Sequence, residues 1–101
     1  MQFEWDADKD RVNIGKHGIS FDQAQAIFQG PTVDLVDGRF DYGEVRTISL
    51  GLWDGIVVLS VTHTDRQGRI RLISARVACR VASRKERVIY HDALRKTAEP
   101  G

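Results

Sequence analysis

Two short stretches of this chain carry side chains that could act on a phosphodiester. The first is Lys16-His17-Gly18. Histidine is the side chain that titrates near neutral pH, so His17 could take and return a proton while Lys16 holds a phosphate. The second is Arg69 and Arg71, two apart on an extended run and so on one face of it, with Ile70 and Leu72 on the other. Two guanidinium groups projecting from a sheet suit a phosphate that gains negative charge in its transition state. Each stretch also has a plainer use. A basic residue and a glycine are how a helix commonly ends, because the dipole favours the cation and glycine accepts the left-handed cap. An arginine pair can simply be the solvated face of a sheet.

Other residues extend the set. Strict alternation along the same run places Arg76 with Leu72 and Ser74, opposite Arg71, unless a bulge intervenes. His63 falls in phase with Val57, Leu59 and Val61 and reads as a packed histidine at least as readily as a catalytic one. Glu86 and Tyr90 lie one helical turn apart; the tyrosine could stack on a base or donate a proton. Trp5 and Trp53 read as core rather than as base platforms. The sequence shows no zinc pattern, phosphate-binding glycine loop or carboxylate cluster, which disfavours a metal-dependent nuclease or a nucleotide hydrolase. The expectation is a basic site that needs neither metal nor cofactor.

The formal net charge of +1 conceals a division. Residues 1 to 65 hold eleven acidic and five basic side chains, whereas residues 66 to 87 hold eight basic ones, Arg80 among them, against Glu86 alone. A basic block of this density is the footprint of a phosphate backbone, since each neutralised phosphate releases counterions. The alternatives are acidic and basic halves that face each other, or a basic face that docks on an acidic protein. With 101 residues, 42% of them hydrophobic and 29% charged, the chain suits one modest globular domain. The single cysteine, Cys79, excludes an internal disulfide and fits a reducing compartment, the cytoplasm by default. No apolar run is long enough to cross a membrane, and the acidic N-terminus does not resemble a signal peptide.

The elements that must hold these side chains follow from local signals. Gln2 to Trp5 reads as a short strand, and Asp6 as the N-cap of a helix running to about Lys16. Ser20 and Gln23 form a capping box for a second helix whose Phe21, Ala24, Ile27 and Phe28 face the core before Gly30-Pro31 stops it. Four strands follow, Thr32 to Val36, Val45 to Trp53, Ile56 to Thr64 and Arg69 to about Val77, the last three an antiparallel meander. Asp54-Gly55 marks a tight hairpin and Arg66-Gln67-Gly68 a slightly longer turn. Ser83-Arg84-Lys85-Glu86 opens a C-terminal helix. The fold class expected is α+β, a curved antiparallel sheet with two N-terminal helices and one C-terminal helix.

Phe3-Glu4-Trp5-Asp6, Lys9, Asn13 and Lys16-His17-Gly18-Ile19, followed by Phe21, Ala24 and Ile27-Phe28, resemble the N-terminal signature of the BrnT toxins. Tyr42-Gly43-Glu44 with Arg46, Arg71 through Arg76, and Glu86-Arg87 with Tyr90 resemble the rest of that pattern. The resemblance implies a RelE-type fold and a ribonuclease that blocks translation. It also implies neutralisation by a BrnA-like, ribbon-helix-helix antitoxin that binds operator DNA. Lys16, His17, Arg71, Arg76, Glu86 and Tyr90 carry over as site candidates; Arg69, from its place beside Arg71 on the strand face, and Arg80 are the further RNA contacts expected. One departure concerns the stretch between Arg76 and Glu86, which is longer than the family's and makes Arg80 a substitute for Arg76. A non-catalytic module that acts as a co-repressor within an antitoxin–DNA complex is the alternative function.

Overall fold

The computed structural model describes residues 1–37, 44–53 and 57–80, with Cys79 and Arg80 described by their backbone alone. Strand β1 (Phe3–Glu4) leads into helix α1 (Ala7–His17) and then α2 (Phe21–Ala24), which tightens into a 3-10 segment, Gln25–Gln29. Strands β2 (Thr32–Asp37), β3 (Arg46–Trp53), β4 (Val57–Arg66) and β5 (Arg69–Arg80) complete the described fold. The Asp54-Gly55 turn and the helix expected from Ser83 lie outside the described residues.

Both helix starts are set by short polar side chains. Asp6 is extended, and its carboxylate accepts the free N–H groups of Asp8 at 2.8 Å and Lys9 at 3.3 Å. These backbone bonds, first among the causes, hold the Asp6 carboxyl below its ordinary value. Gly18 ends α1 with φ of 71°, and its N–H donates to the Ile14 carbonyl at 2.8 Å. Ser20 and Gln23 then form the reciprocal capping box, each 3.0 Å from the other's backbone N–H. The second helix is shorter than its pattern suggests, because the 3-10 segment replaces its later turns. The apolar face survives that change: Phe21, Ala24 and Ile27 are almost completely buried.

The sheet has the order β1-β5-β4-β3-β2. Strands β2 to β5 form an antiparallel meander, as expected of the last three, but β1 pairs in parallel with β5. The sheet is therefore mixed rather than antiparallel throughout. Parallel pairing requires a long crossover, which the chain between β1 and β5 supplies. The β4–β5 turn is tighter than expected, with only Gln67 and Gly68 between the strands and both at positive φ, the geometry of a two-residue hairpin loop.

Leu59, Val61, Leu72 and Ala75 from the sheet meet Phe21, Ala24 and Ile27 in one core, with Trp5, Phe28, Trp53 and Val77 packed around it. Burying each large apolar side chain contributes about 1.5–3 kcal/mol. The helical layer lies so close to β3 that a Cβ at Gly51 would stand 2.8 Å from the Cβ of Ile27, so only glycine fits there.

Candidate active site

The ladder between β4 and β5 slips twice. Ser74 lies opposite Thr62 and Leu72 opposite His63, which leaves Ile73 as an extra residue; Ala78 is extra in the same way between Val77 and Cys79. The first bulge changes the phase of the strand. Leu72 and Ala75, three apart, are both fully buried on the core face. Arg71, Ser74 and Arg76 consequently share the opposite face, paired with Thr64, Thr62 and Ser60. Strict alternation would separate Arg71 from Arg76; the bulge at Ile73 corrects that expectation and puts both on one side of the sheet. Arg69 precedes them on the same face and, like Arg76, is exposed.

Helix α1 lies along the edge of β5, beyond the point where the pairing with β1 ends. Between them runs a groove of about 340 Å³ lined by Asp8, Lys9, Val12, Asn13, Lys16 and His17 of the helix and by Ile73 and Ser74 of the strand. His17 also borders a second hollow of about 180 Å³ with Trp53 and Val77. The β5 residues that share these two hollows with His17, namely Ile73, Ser74 and Val77, lie on either side of Arg76 in the strand. Lys16 and His17 are exposed in the last turn of the helix, where basic side chains meet the negative end of the helix dipole.

Arg71 occupies the other end of this arrangement. It pairs in register with Glu4 of β1, whose carboxylate stands 3.9 Å from its guanidinium, and its charge reaches Asp6 at the start of α1. Since α1 rises about 1.5 Å per residue, the Arg71 and His17 ends of the row are on the order of 15 Å apart. The structure brings Lys16 and His17 to the part of β5 that carries Ser74 and Arg76, and it does not bring Arg71 to the same point. Within the basic block, Arg66 is held by Glu44 at 3.3 Å, so the acidic half of the sequence does meet the basic half at Glu4 and Glu44.

His63 has a different setting. Its Nε2 lies 2.7 Å from the hydroxyl of the fully buried Ser49, which itself donates to the Asp34 carboxylate at 2.6 Å. A hydroxyl that donates to Asp34 must accept from His63, so the imidazole carries its proton on Nε2. Phe28 packs edge-on against the ring at 5.2 Å. Burial pushes the imidazole below the ordinary histidine value, and Asp34 opposes the shift. This is a packed histidine on the core face, away from the arginine face. Trp5 and Trp53 also pack against the core.

Arg80 pairs with Val57 in the ladder, while Glu86 and Tyr90 lie outside the described residues. Lys9 and Ser74 line the groove without standing out in the sequence as site residues, and Asn13 stands out only as part of the family pattern. A signal for Lys9 was present, since residues 9 and 16 are seven apart and share a helix face. Among the described residues, no group of three or more His, Cys, Asp or Glu side chains is placed to hold a metal ion, and no helix is long and apolar enough to cross a membrane.

A family model described as the ribonuclease toxin BrnT of type II toxin–antitoxin systems matches residues 5–86. The chain belongs to the BrnT family. Membership implies RNA as the substrate class and an antitoxin as the partner. Among solved structures, the 1.1 Å crystal structure of the Brucella abortus ribonuclease toxin BrnT is similar with a TM-score of 0.61 at 24% identity, covering 79% of this chain and 99% of that one. At that identity the likeness shows the BrnT fold, an α+β arrangement of helices on a sheet. No curated protein matches closely enough to add a relative.

Proposed function

We propose that this BrnT-family chain is an endoribonuclease that cleaves RNA without a metal ion and thereby inhibits translation and growth in the cytoplasm. The observation that carries the reading is the phase change at Ile73, which aligns Arg71, Ser74 and Arg76 on one sheet face while α1 brings Lys16 and His17 to the same edge. In the reaction, the 2′-oxygen of a ribose forms a bond to the adjacent phosphorus and the bond from phosphorus to the 5′-oxygen breaks. His17 takes the 2′-hydroxyl proton, and the departing 5′-oxygen receives it. Arg76 stabilises the charge gathered on the phosphorane, and Lys16 positions the backbone. Arg71, with Arg69, holds a neighbouring phosphate, because the row of cations is longer than one nucleotide step. Glu86, Tyr90 and Arg80 complete the site on the family pattern.

The proposal includes one toxin domain of RelE type closed by a C-terminal helix from Ser83. It also includes a hetero-oligomer with a BrnA-like, ribbon-helix-helix antitoxin that covers the basic face and links it to operator DNA. Tightly controlled expression of the chain alone is expected to arrest growth. Relief by His17→Ala, and by co-expression of the antitoxin, is the expected companion result; unaffected growth despite soluble wild-type protein would contradict the proposal.

A further inference from the structure

α1 is seated by a single buried residue, and that residue is polar. Asn13 is 5% exposed. Its side-chain amide donates to the Ala75 carbonyl at 2.8 Å and to the Ile19 carbonyl at 2.9 Å, and its side-chain oxygen accepts the Ala75 N–H at 3.1 Å. Ala75 is opposite Val61, and because its N–H and C=O both turn outward to Asn13, neither is used in the ladder with β4. The strand β1 would be the natural partner for that edge, but its pairing stops at Arg71. Asn13 takes the place of the missing strand residue.

This contact joins the two halves of the proposed site. On α1, Lys16 and His17 are three and four residues beyond Asn13, so all three lie on one helix face. On β5, Ala75 sits between Ser74 and Arg76, immediately past the extra residue Ile73. An asparagine that binds both backbone groups of one residue accepts only one register. A slip of one position would turn the N–H and C=O of Ala75 away and exchange the faces of Ser74, Arg76 and Val77.

We infer that Asn13 is a positioning residue of the ribonuclease site: its bracket on Ala75 fixes the bulge phase that presents Arg76 and seats the helix that carries His17 at the same edge of β5. The inference rests on the reading that Arg76 and His17 act on RNA. It concerns no contact between Asn13 and substrate.

The test is a double-mutant cycle on the purified full chain, with cleavage of an RNA oligonucleotide resolved into kcat and KM. Asn13→Asp keeps the shape and the acceptor for the Ala75 N–H but replaces the donor facing the Ala75 and Ile19 carbonyls. It is expected to lower kcat about 100-fold, the scale of a misplacement near 1 Å, with KM within about threefold of wild type. In an Arg76→Ala background the same substitution is expected to cost clearly less than it does in the wild type, because one of the two groups it positions is gone. Asn13→Ser, which introduces no charge, gives the same cycle if the aspartate variant does not fold. Losses that multiply, or a normal rate per folded molecule, would overturn the positioning role while leaving the site reading intact. Full cleavage by Arg76→Ala would overturn the site reading and the role of Asn13 with it.

Discussion

The helical segments on either side of Gly18 are held to the sheet by opposite means. After it, α2 and the 3-10 segment bury Phe21, Ala24 and Ile27 against Leu59, Val61 and Leu72, an attachment that is apolar, extensive and without directional demands. Before it, α1 buries only Asn13, leaves Val12 and Ile14 about half exposed, and is tied down by hydrogen bonds. Asp10 adds one more, accepting the Phe21 N–H at 2.8 Å and so linking the two helices. Apolar packing sets how firmly the domain holds together. The polar bracket sets where one edge of it stands, and that edge carries Lys16 and His17.

The comparison predicts separable consequences. Phe21→Ala should have the largest effect on stability, about 3–5 kcal/mol in denaturant unfolding, because it empties a fully buried position. Asn13→Ser should cost about 1–3 kcal/mol, the scale of leaving buried backbone groups without partners, yet lose more activity per folded molecule than Phe21→Ala. Equal activity per folded molecule in the two variants would erase the distinction between the segments.

The smallest effect should come from His63, which joins the apolar side through Phe28. Its pKa is lowered in the folded state, so the unfolded chain binds the extra proton. The stability this confers is complete above the ordinary histidine value and is lost as pH falls through the lowered one. The denaturation midpoint should therefore fall on mild acidification, and His63→Gln should flatten part of that slope. An unchanged slope in the variant would show that His63 contributes nothing to it.

Much of this fold is legible in the sequence. Asp6, Gly18 and the Ser20–Gln23 box mark helix ends through bonds between near neighbours, and such local chemistry is visible in sequence. The meander was legible from alternation. The phase of β5 was not, since a bulge depends on what the opposite strand and Asn13 demand of Ile73 and Ala75, and these partners are far away in the chain. The parallel pairing of β1 was hidden for the same reason. Lys16, His17 and the arginines were found by residue type, but their arrangement as a row with Arg71 at one end and His17 at the other required the register.

The central claim is that this edge of the sheet cuts RNA. The most direct measurement is cleavage of an RNA oligonucleotide by the purified chain in the presence of excess EDTA, comparing wild type with His17→Ala, Arg76→Ala and Arg71→Ala. The account predicts EDTA-resistant cleavage by the wild type, a loss of kcat on the order of 100-fold or more for His17→Ala and Arg76→Ala, and a higher KM for Arg71→Ala. Cleavage that stops with EDTA, or that survives both His17→Ala and Arg76→Ala in folded protein, would contradict it.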